Sequence, residues 1–356
     1  MQVQKGIMWN VASVKREGPE AVRVRIEPLQ PKAVALQCNL AGGYVTFTLP
    51  TSPRLRRTYS VLHQDERGLE YVVKNVRGGQ ASRFFSTTLK AGDPLEMMDF
   101  GNALWQPEWD ERPQHFIAFA GGIGMSPIVS CMNRALKSDV GHRFTLYESS
   151  RSERRRLFSR ELDTLRKHPL CSVYQLYTET QNRSVPSTGR ITRERVIQWL
   201  EGHPNASSAT YLISAPHGMM EAVHRGLDAL DVPMTQRFTE HFTDRPLSHE
   251  SHVLHPTASK ATRPQCKLEI EQDSGCQSFT MHGEGQSILH AATAAGVDVP
   301  TSCSGGICLS CQAQVIEGEV QPYGISGLTE EEKAKGMVLC CRSQPKSERL
   351  KLRLIN

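Results

Sequence analysis

Over the first third of the chain, apolar and polar positions alternate. Val22-Arg-Val-Arg-Ile26 and Tyr44-Val-Thr-Phe-Thr-Leu49 each carry apolar side chains at every second position, as half-buried strands do. Gly and Pro clusters punctuate these runs and no long helical period separates them. That predicts a small antiparallel β-barrel over residues 1–110. The pattern changes near Pro113. His115-Phe-Ile-Ala-Phe-Ala120 is a continuous apolar strand that meets a glycine turn and then a helix beginning at Pro127. Arg143-Phe-Thr-Leu-Tyr147 precedes a helical stretch around Arg154–Lys167, and Thr210-Tyr-Leu-Ile-Ser214 precedes another around Met219–Leu230. Strands alternating with helices predict a parallel, doubly wound α/β domain over 111–244, with ligands at the carboxyl ends of its strands. Residues 245–264 carry prolines, serines and histidines without periodicity, which reads as a linker. Strand pattern resumes at Lys267-Leu-Glu-Ile270 and opens a last domain over 265–356.

A chain of 356 residues suits two or three domains, and 38% hydrophobic with 22% charged residues is a globular balance. Runs such as Phe116–Ala120 are too short to cross a bilayer. The opening MQVQKGIMWN has neither the basic start nor the apolar stretch of a secretory signal. A cytoplasmic protein without membrane association is expected. Charge is uneven: residues 265–356 hold 8 Lys+Arg against 11 Asp+Glu, a net of −3, leaving 34 against 26, a net of +8, in residues 1–264. Such asymmetry suits attraction between the two parts or steering of an acidic partner. No basic run is interleaved with aromatics, so nucleic-acid binding is not expected.

Five of the ten cysteines crowd between Cys303 and Cys341. In a cytoplasmic chain, crowding of this kind favours metal ligation over crosslinks. Cys303-Ser-Gly-Gly-Ile-Cys308-Leu-Ser-Cys311 with a distant fourth cysteine has the C-x4-C-x2-C…C spacing of plant-type [2Fe–2S] sites. Zinc would more naturally take two C-x2-C knuckles. Cys340 and Cys341 are adjacent, so one is spare. Gly336-Met-Val-Leu-Cys-Cys341 with Pro345, Ser287-Ile-Leu-His-Ala-Ala and Gly296-Val-Asp-Val-Pro resemble plant-type ferredoxin domains. The resemblance implies a β-grasp fold and makes Cys341 the fourth ligand, with Cys340 in a slot usually held by Ser or Thr.

Arg57-Thr58-Tyr59-Ser60 follows a strand, and Gly78-Gly79-Gln80-Ala81-Ser82 follows another. Adjacent glycines can present backbone amides in a concave nest, and a nearby hydroxyl suits a phosphate. Together the two segments resemble the flavin barrel of the ferredoxin–NADP reductase superfamily. That resemblance implies Arg57 on a flavin phosphate, Tyr59 stacked on the isoalloxazine and Ser60 near its N5, with FAD expected and FMN the alternative.

Ala120-Gly121-Gly122-Ile123-Gly124-Met125-Ser126-Pro127 joins a strand to a helix. Its glycines allow close approach of a pyrophosphate, Ser126 suits the helix cap and Pro127 its first position. The spelling resembles the same superfamily, as does Ser214-Ala215-Pro216-x-x-Met219, with Ser and Ala where Cys and Gly are usual. Glu240-His241-Phe242 resembles a segment lying near the flavin, and Tyr59, Ser60 and Glu240 are the candidate catalytic residues. The choice of NADH or NADPH as cosubstrate turns on Glu148-Ser-Ser-Arg151 and Arg154-Arg155-Arg156. A carboxylate there favours a ribose diol and arginines a 2′-phosphate, and a solvated face is the plainer alternative.

The order barrel, nicotinamide domain, ferredoxin domain resembles the oxygenase reductase branch that includes phthalate dioxygenase reductase and the phenylacetyl-CoA epoxidase reductase subunit. It implies an NAD(P)H-dependent oxidoreductase whose flavin passes electrons singly through the cluster to a Rieske-type or diiron oxygenase. The alternatives are a reductase for another acceptor, such as a hybrid-cluster or haem protein, and a redox-sensing binding module.

Overall fold

Branched residues facing inward and charged residues facing out build the first part of the chain in the computed structural model. The structure describes residues 7–29, 39–50, 55–76, 78–102, 104–179, 188–240, 265–272, 275–281, 286–297, 299, 306, 309, 311–323, 326, 328 and 330–355. The expected linker, 245–264, lies outside them. Strands β1 (Ile7–Glu17), β2 (Ala21–Pro28), β3 (Gly43–Leu49), β4 (Leu55–Asp65), β5 (Gly68–Lys74) and β6 (Pro94–Asn102) close into a barrel in the order β1-β2-β5-β4-β3-β6. Val22, Val24 and Ile26 on β2 are buried while Arg23 and Arg25 between them are half-buried, the period-two signal seen in the sequence. Between β5 and β6 a short helix, α1 (Gln80–Arg83), runs into a π-helical turn at Phe84–Thr88. That turn buries Phe85 edge-on to Tyr59 and Tyr71, with ring centroids 5.0 and 5.9 Å away.

A parallel sheet follows, built from β7 (His115–Gly121), β8 (Arg143–Ser150), β9 (Cys171–Tyr177), β10 (Thr210–Ser214) and β11 (Arg237–Thr239) in the order β11-β10-β7-β8-β9. Helices α2 (Met125–Lys137), α3 (Ser159–Leu165), α4 (Arg193–Glu201) and α5 (His217–Ala229) connect the strands. Barrel and sheet form one compact unit. Arg23 of β2 reaches Glu161 of α3 through two N–H groups at 2.7 and 3.1 Å, and the Phe158 backbone N–H donates to Glu17 at 2.7 Å. Burial opposes the charge on Arg23, but Glu161, Glu17 and Glu70 outweigh it and raise its pKa. A guanidinium shared among carboxylates fixes orientation more than it adds stability. It therefore sets how the barrel meets the sheet.

The C-terminal unit holds β12 (Cys266–Gln272), β13 (Gly275–Met281), β14 (Gln312–Glu317), β16 (Met337–Leu339) and β18 (Arg349–Leu354) in the order β13-β12-β18-β14-β16. A two-stranded ribbon of β15 (Val320–Pro322) and β17 (Ser343–Pro345) accompanies the sheet. Helix α6 (Ile288–Ala294), capped by the Ser287 hydroxyl, packs Ile288 and Leu289 into a core with Leu268, Ile270 and Leu352. A mixed sheet under one crossing helix is the β-grasp arrangement that the ferredoxin resemblance implies. Among the described residues no helix is long and apolar enough to cross a membrane.

Three local expectations need correction. The helix after the glycine turn starts at Met125, because a 3₁₀ turn at Gly122–Gly124 runs straight into it. Ser126 therefore lies inside the first turn and is not its cap, and Pro127 comes third. The stretch at Arg154–Lys167 is not one helix: a 3₁₀ turn at Glu153–Arg155 is separated from α3 by Phe158 in the left-handed region, φ 58°. The triple arginine thus does not oppose a helix dipole. Glu148, the expected ribose carboxylate, is 1% exposed and accepts the Ser150 hydroxyl. Burial raises its pKa against the pull of Ser150, Gln175, Arg156 and Arg166. It faces the interior and is not presented to a ribose.

At the amino end of the sheet His115, Thr145, His203 and Asn205 form a closed set. His115 Nε2 lies 3.1 Å and His203 Nε2 3.2 Å from Thr145 Oγ1, and the Asn205 side-chain amide donates to His115 Nδ1 at 3.1 Å. Burial lowers both histidine pKa values, and His203 and Arg143 lower that of His115 further. The unfolded chain, titrating near ~6.5, therefore takes up protons first as pH falls. Stability from this pair is complete above that value and declines below it. Thermal melts are expected to show a midpoint falling between pH 7 and pH 5.5, with a shallower fall in the His115→Gln/His203→Gln double variant.

Candidate flavin, nicotinamide and cluster sites

At the carboxyl end of the parallel sheet four segments converge. Ser60, on β4 of the barrel, is 4% exposed and donates its hydroxyl to Glu240 Oε1 at 2.5 Å. Glu240 follows β11, and its own N–H donates to the carbonyl of Ile213 on β10 at 3.0 Å. Ser126, in the first turn of α2, donates to the Ser60 carbonyl at 3.4 Å. Ser214 ends β10, and its hydroxyl is buried without a hydrogen-bond partner among the described residues. The four thus come from the barrel, the glycine turn and two strand ends. Two segments far apart in the sequence, the R-x-Y-S run and the Glu240 segment, are joined by one hydrogen bond. His241 and Phe242 lie outside the described residues.

The glycines divide by what surrounds them. Gly122 adopts φ 58° and a Cβ there would meet nothing within 4 Å, so its backbone faces open space. A Cβ on Gly124 would lie 2.1 Å from the Ser214 carbonyl oxygen and 2.9 Å from the Ala215 nitrogen. Gly121 sits against Pro216 and Met219, which brings the Ser214–Met219 segment onto the glycine turn as expected. Gly124 lets helix and strand approach, whereas Gly122 leaves room for a pyrophosphate. Gly124→Ala places a methyl group against backbone that cannot move aside. Overpacking of this kind costs ~1–3 kcal/mol, read as a lower thermal midpoint and weaker nucleotide binding. A Gly122→Ala control would be strained only by its φ.

Tyr59 is half-buried. Its ring stacks on Tyr71 at 5.6 Å and 21°, and Phe85 meets it edge-on. Arg57 and Thr58 precede it on β4, both half-buried, and the Thr58 hydroxyl bonds that of Thr46 at 2.8 Å. Gly78 is exposed with open space where a Cβ would stand, and Gly79 enters α1. Ser82 departs from expectation: its hydroxyl accepts from the Val76 N–H at 3.1 Å and donates to the Gly79 carbonyl at 3.1 Å. Its proton is spent shaping the loop. These groups fit a flavin and a nicotinamide nucleotide: an aromatic platform, an open glycine turn and an orphaned buried hydroxyl. Arg151 and Arg155, beyond β8, are exposed and approach Glu20 and Glu179 at 3.5–4.0 Å. Arg156 is instead held by Ser159 and Gln175.

In the C-terminal unit Cys311 and Cys341 are buried together, and the Cys341 N–H donates to Cys311 Sγ at 3.4 Å. An amide aimed at a sulfur is what a thiolate ligand requires. Cys340 is fully buried beside them, its thiol pushed well above the usual range by burial and then by Cys311. Cys303 and Cys308 lie outside the described residues.

Comparison with known proteins gives these sites their context. Residues 119–225 match the oxidoreductase NAD-binding domain and residues 272–346 the 2Fe-2S iron-sulfur cluster binding domain. The second match contains all four expected ligands. The chain is 28% identical to a 1,2-phenylacetyl-CoA epoxidase subunit of Escherichia coli over 94% of each chain. It is 26% identical to the phthalate 4,5-dioxygenase oxygenase reductase subunit of Pseudomonas putida over 93% of this chain and 92% of that one. In fold it resembles phthalate dioxygenase reductase, with a TM-score of 0.57 over 98% of both chains at 22% identity. The chain is thus an oxidoreductase that joins an NAD-binding domain to a 2Fe-2S cluster binding domain, homologous over nearly its whole length to reductase subunits of oxygenase systems.

Proposed function

We propose that this chain is the NAD(P)H-dependent reductase component of an oxygenase system, carrying FAD and a [2Fe–2S] cluster and feeding single electrons to a partner protein. The observation that carries the reading is the convergence of Ser60, Ser126, Ser214 and Glu240 between a flavin-type barrel and an NAD-binding sheet, in a chain that continues into a cluster domain. Bound flavin supplies acceptance of a hydride and release of electrons one at a time, and the protein supplies distance, orientation and field. Ser60 and Glu240 hold a proton between Ser60 Oγ and Glu240 Oε1, and would orient the flavin and nicotinamide bound beside them. Arg57 would take a flavin phosphate and the Gly121–Gly124 turn the nicotinamide nucleotide. Cys303, Cys308, Cys311 and Cys341 would hold the iron. The acceptor is read as a Rieske-type or diiron oxygenase because the relatives above are subunits of an epoxidase and a dioxygenase. Four reduced thiolates suit a cytoplasmic setting.

The test is a visible spectrum of protein purified without air and titrated with NADH and with NADPH. A bound flavin band, a cluster band and bleaching of both by one nucleotide are expected. Protein without isoalloxazine, or without iron and labile sulfide, would end the proposal.

A further inference from the structure

The spare cysteine of the pair has a position that a packing thiol does not need. Strands β14 and β16 pair antiparallel with Gln312 opposite Leu339 and Ala313 opposite Val338. One step further along this register, Cys311 stands opposite Cys340, and the Cys340 N–H donates to the Cys311 carbonyl at 3.0 Å. Directly opposed residues point to the same face, with Cβ atoms ~5 Å apart. Cys340 itself opens a 3₁₀ turn that runs to Arg342, and the N–H of the next residue, Cys341, reaches Cys311 Sγ. Cys311 therefore has two buried cysteine neighbours, one across the ladder and one at its end. Sulfurs sharing one metal lie ~4 Å apart when metal–sulfur bonds are ~2.3 Å. The backbone bond between Cys340 and Cys311 brings the two residues within the range from which rotation of a side chain would reach that spacing.

We propose that Cys340 is a reserve ligand, a second thiol able to take the iron position of Cys341 when that side chain is lost or leaves the metal. The inference rests on the reading of the C-terminal domain as a [2Fe–2S] carrier. No electrons change hands in the exchange: the Cys340 thiol gives its proton to solvent, and its sulfur forms the iron bond that residue 341 no longer makes. The Ser or Thr usual at this position in related domains offers only a hydroxyl, a poorer partner for iron. A chain with Cys here carries a repair route that those domains lack.

Iron and acid-labile sulfide per chain are measured for the unaltered protein and for Cys341→Ala, Cys340→Ala/Cys341→Ala and Cys303→Ala, with the electron paramagnetic resonance spectrum of each reduced sample. Alanine is used because serine can itself ligate. The expected result is iron and sulfide in Cys341→Ala near the unaltered content, with shifted g-values, and background values in the double variant and in Cys303→Ala. Cys341→Ala falling to the Cys303→Ala level would overturn the proposal, as would a double variant that keeps its cluster. Should Cys341→Ala not fold, Cys340→Thr decides: release of iron to a chelator is several-fold faster than from the unaltered protein if Cys340 recaptures a loosened cluster, and unchanged if it does not. Absence of iron and sulfide from the unaltered protein would instead defeat the cluster reading itself.

Discussion

Cys308→Ala is expected to abolish cytochrome c reduction by NAD(P)H while ferricyanide reduction persists. The two acceptors sample different cofactors. Ferricyanide is small and takes electrons at the flavin, whereas a protein acceptor needs the cluster. The physical basis is the separation of the cores. The C-terminal unit packs Leu268, Ile270, Ile288 and Leu352 into one core with Cys311 and Cys341, and none of these belongs to the core beneath the NAD-binding sheet. Loss of one of four thiolates removes the cluster's hold on its domain. It leaves Ser60, Ser126, Ser214 and Glu240, all in the other unit, undisturbed. The drop in cytochrome c reduction should be ~10²-fold or more, because the remaining route lacks any carrier placed for a protein partner. Parallel assays on one preparation, normalised to flavin content, check it. If both activities fell together, the two units would be one cooperative structure and the relay would be wrong.

How much of this is legible in the sequence depends on which contacts decide each feature. Val22–Ile26 alternates because one barrel face is buried, and local periodicity reports that directly, whereas on β3 Thr46 and Thr48 are buried along with Val45, Phe47 and Leu49. β7 reads as a strand because it is central and buried on both faces. Two elements escape the pattern. Edge strand β9 is only half-buried, and α4, which follows the Thr192 cap, is too polar to show a strong stripe. The break at Phe158 has no local signal: its backbone is left-handed and its N–H is held by the Glu17 carboxylate, from 141 residues away. The site divides in the same way. The glycine turn and the cysteine spacing are local in the chain and stand out as motifs. Ser60 and Glu240 are 180 residues apart and meet only in the folded chain. The engagement of Ser82 with its own loop, and the interior placement of Glu148, are likewise invisible to spacing.

Ser60→Ala is expected to slow reduction of the flavin by NAD(P)H about 10²-fold with little change in stability, a size typical of losing one preorganised hydrogen-bond donor or of ~1 Å misplacement at the reacting atoms. The serine hydroxyl is nearly buried and its single proton is committed to Glu240, so the pair holds Ser60 Oγ and the carboxylate in place before the nicotinamide arrives. Alanine removes the donor and also strips Glu240 of that hydrogen bond, so the carboxylate loses its tie to the barrel strand. The neighbouring carbonyl of Ser60 still receives the Ser126 hydroxyl, so the strand keeps its position and the effect stays in chemistry, not folding. Glu240→Gln is the informative companion. It keeps an oxygen that can accept from Ser60 while removing the charge, so its loss should be smaller than that of Glu240→Ala. Rapid-mixing measurement of flavin bleaching without air, at saturating nucleotide, separates this step from binding. A Ser60→Ala rate within about twofold of the unaltered protein would show that the hydroxyl only bridges barrel and sheet, because misplacement of about 1 Å at the reacting atoms costs about 10²-fold.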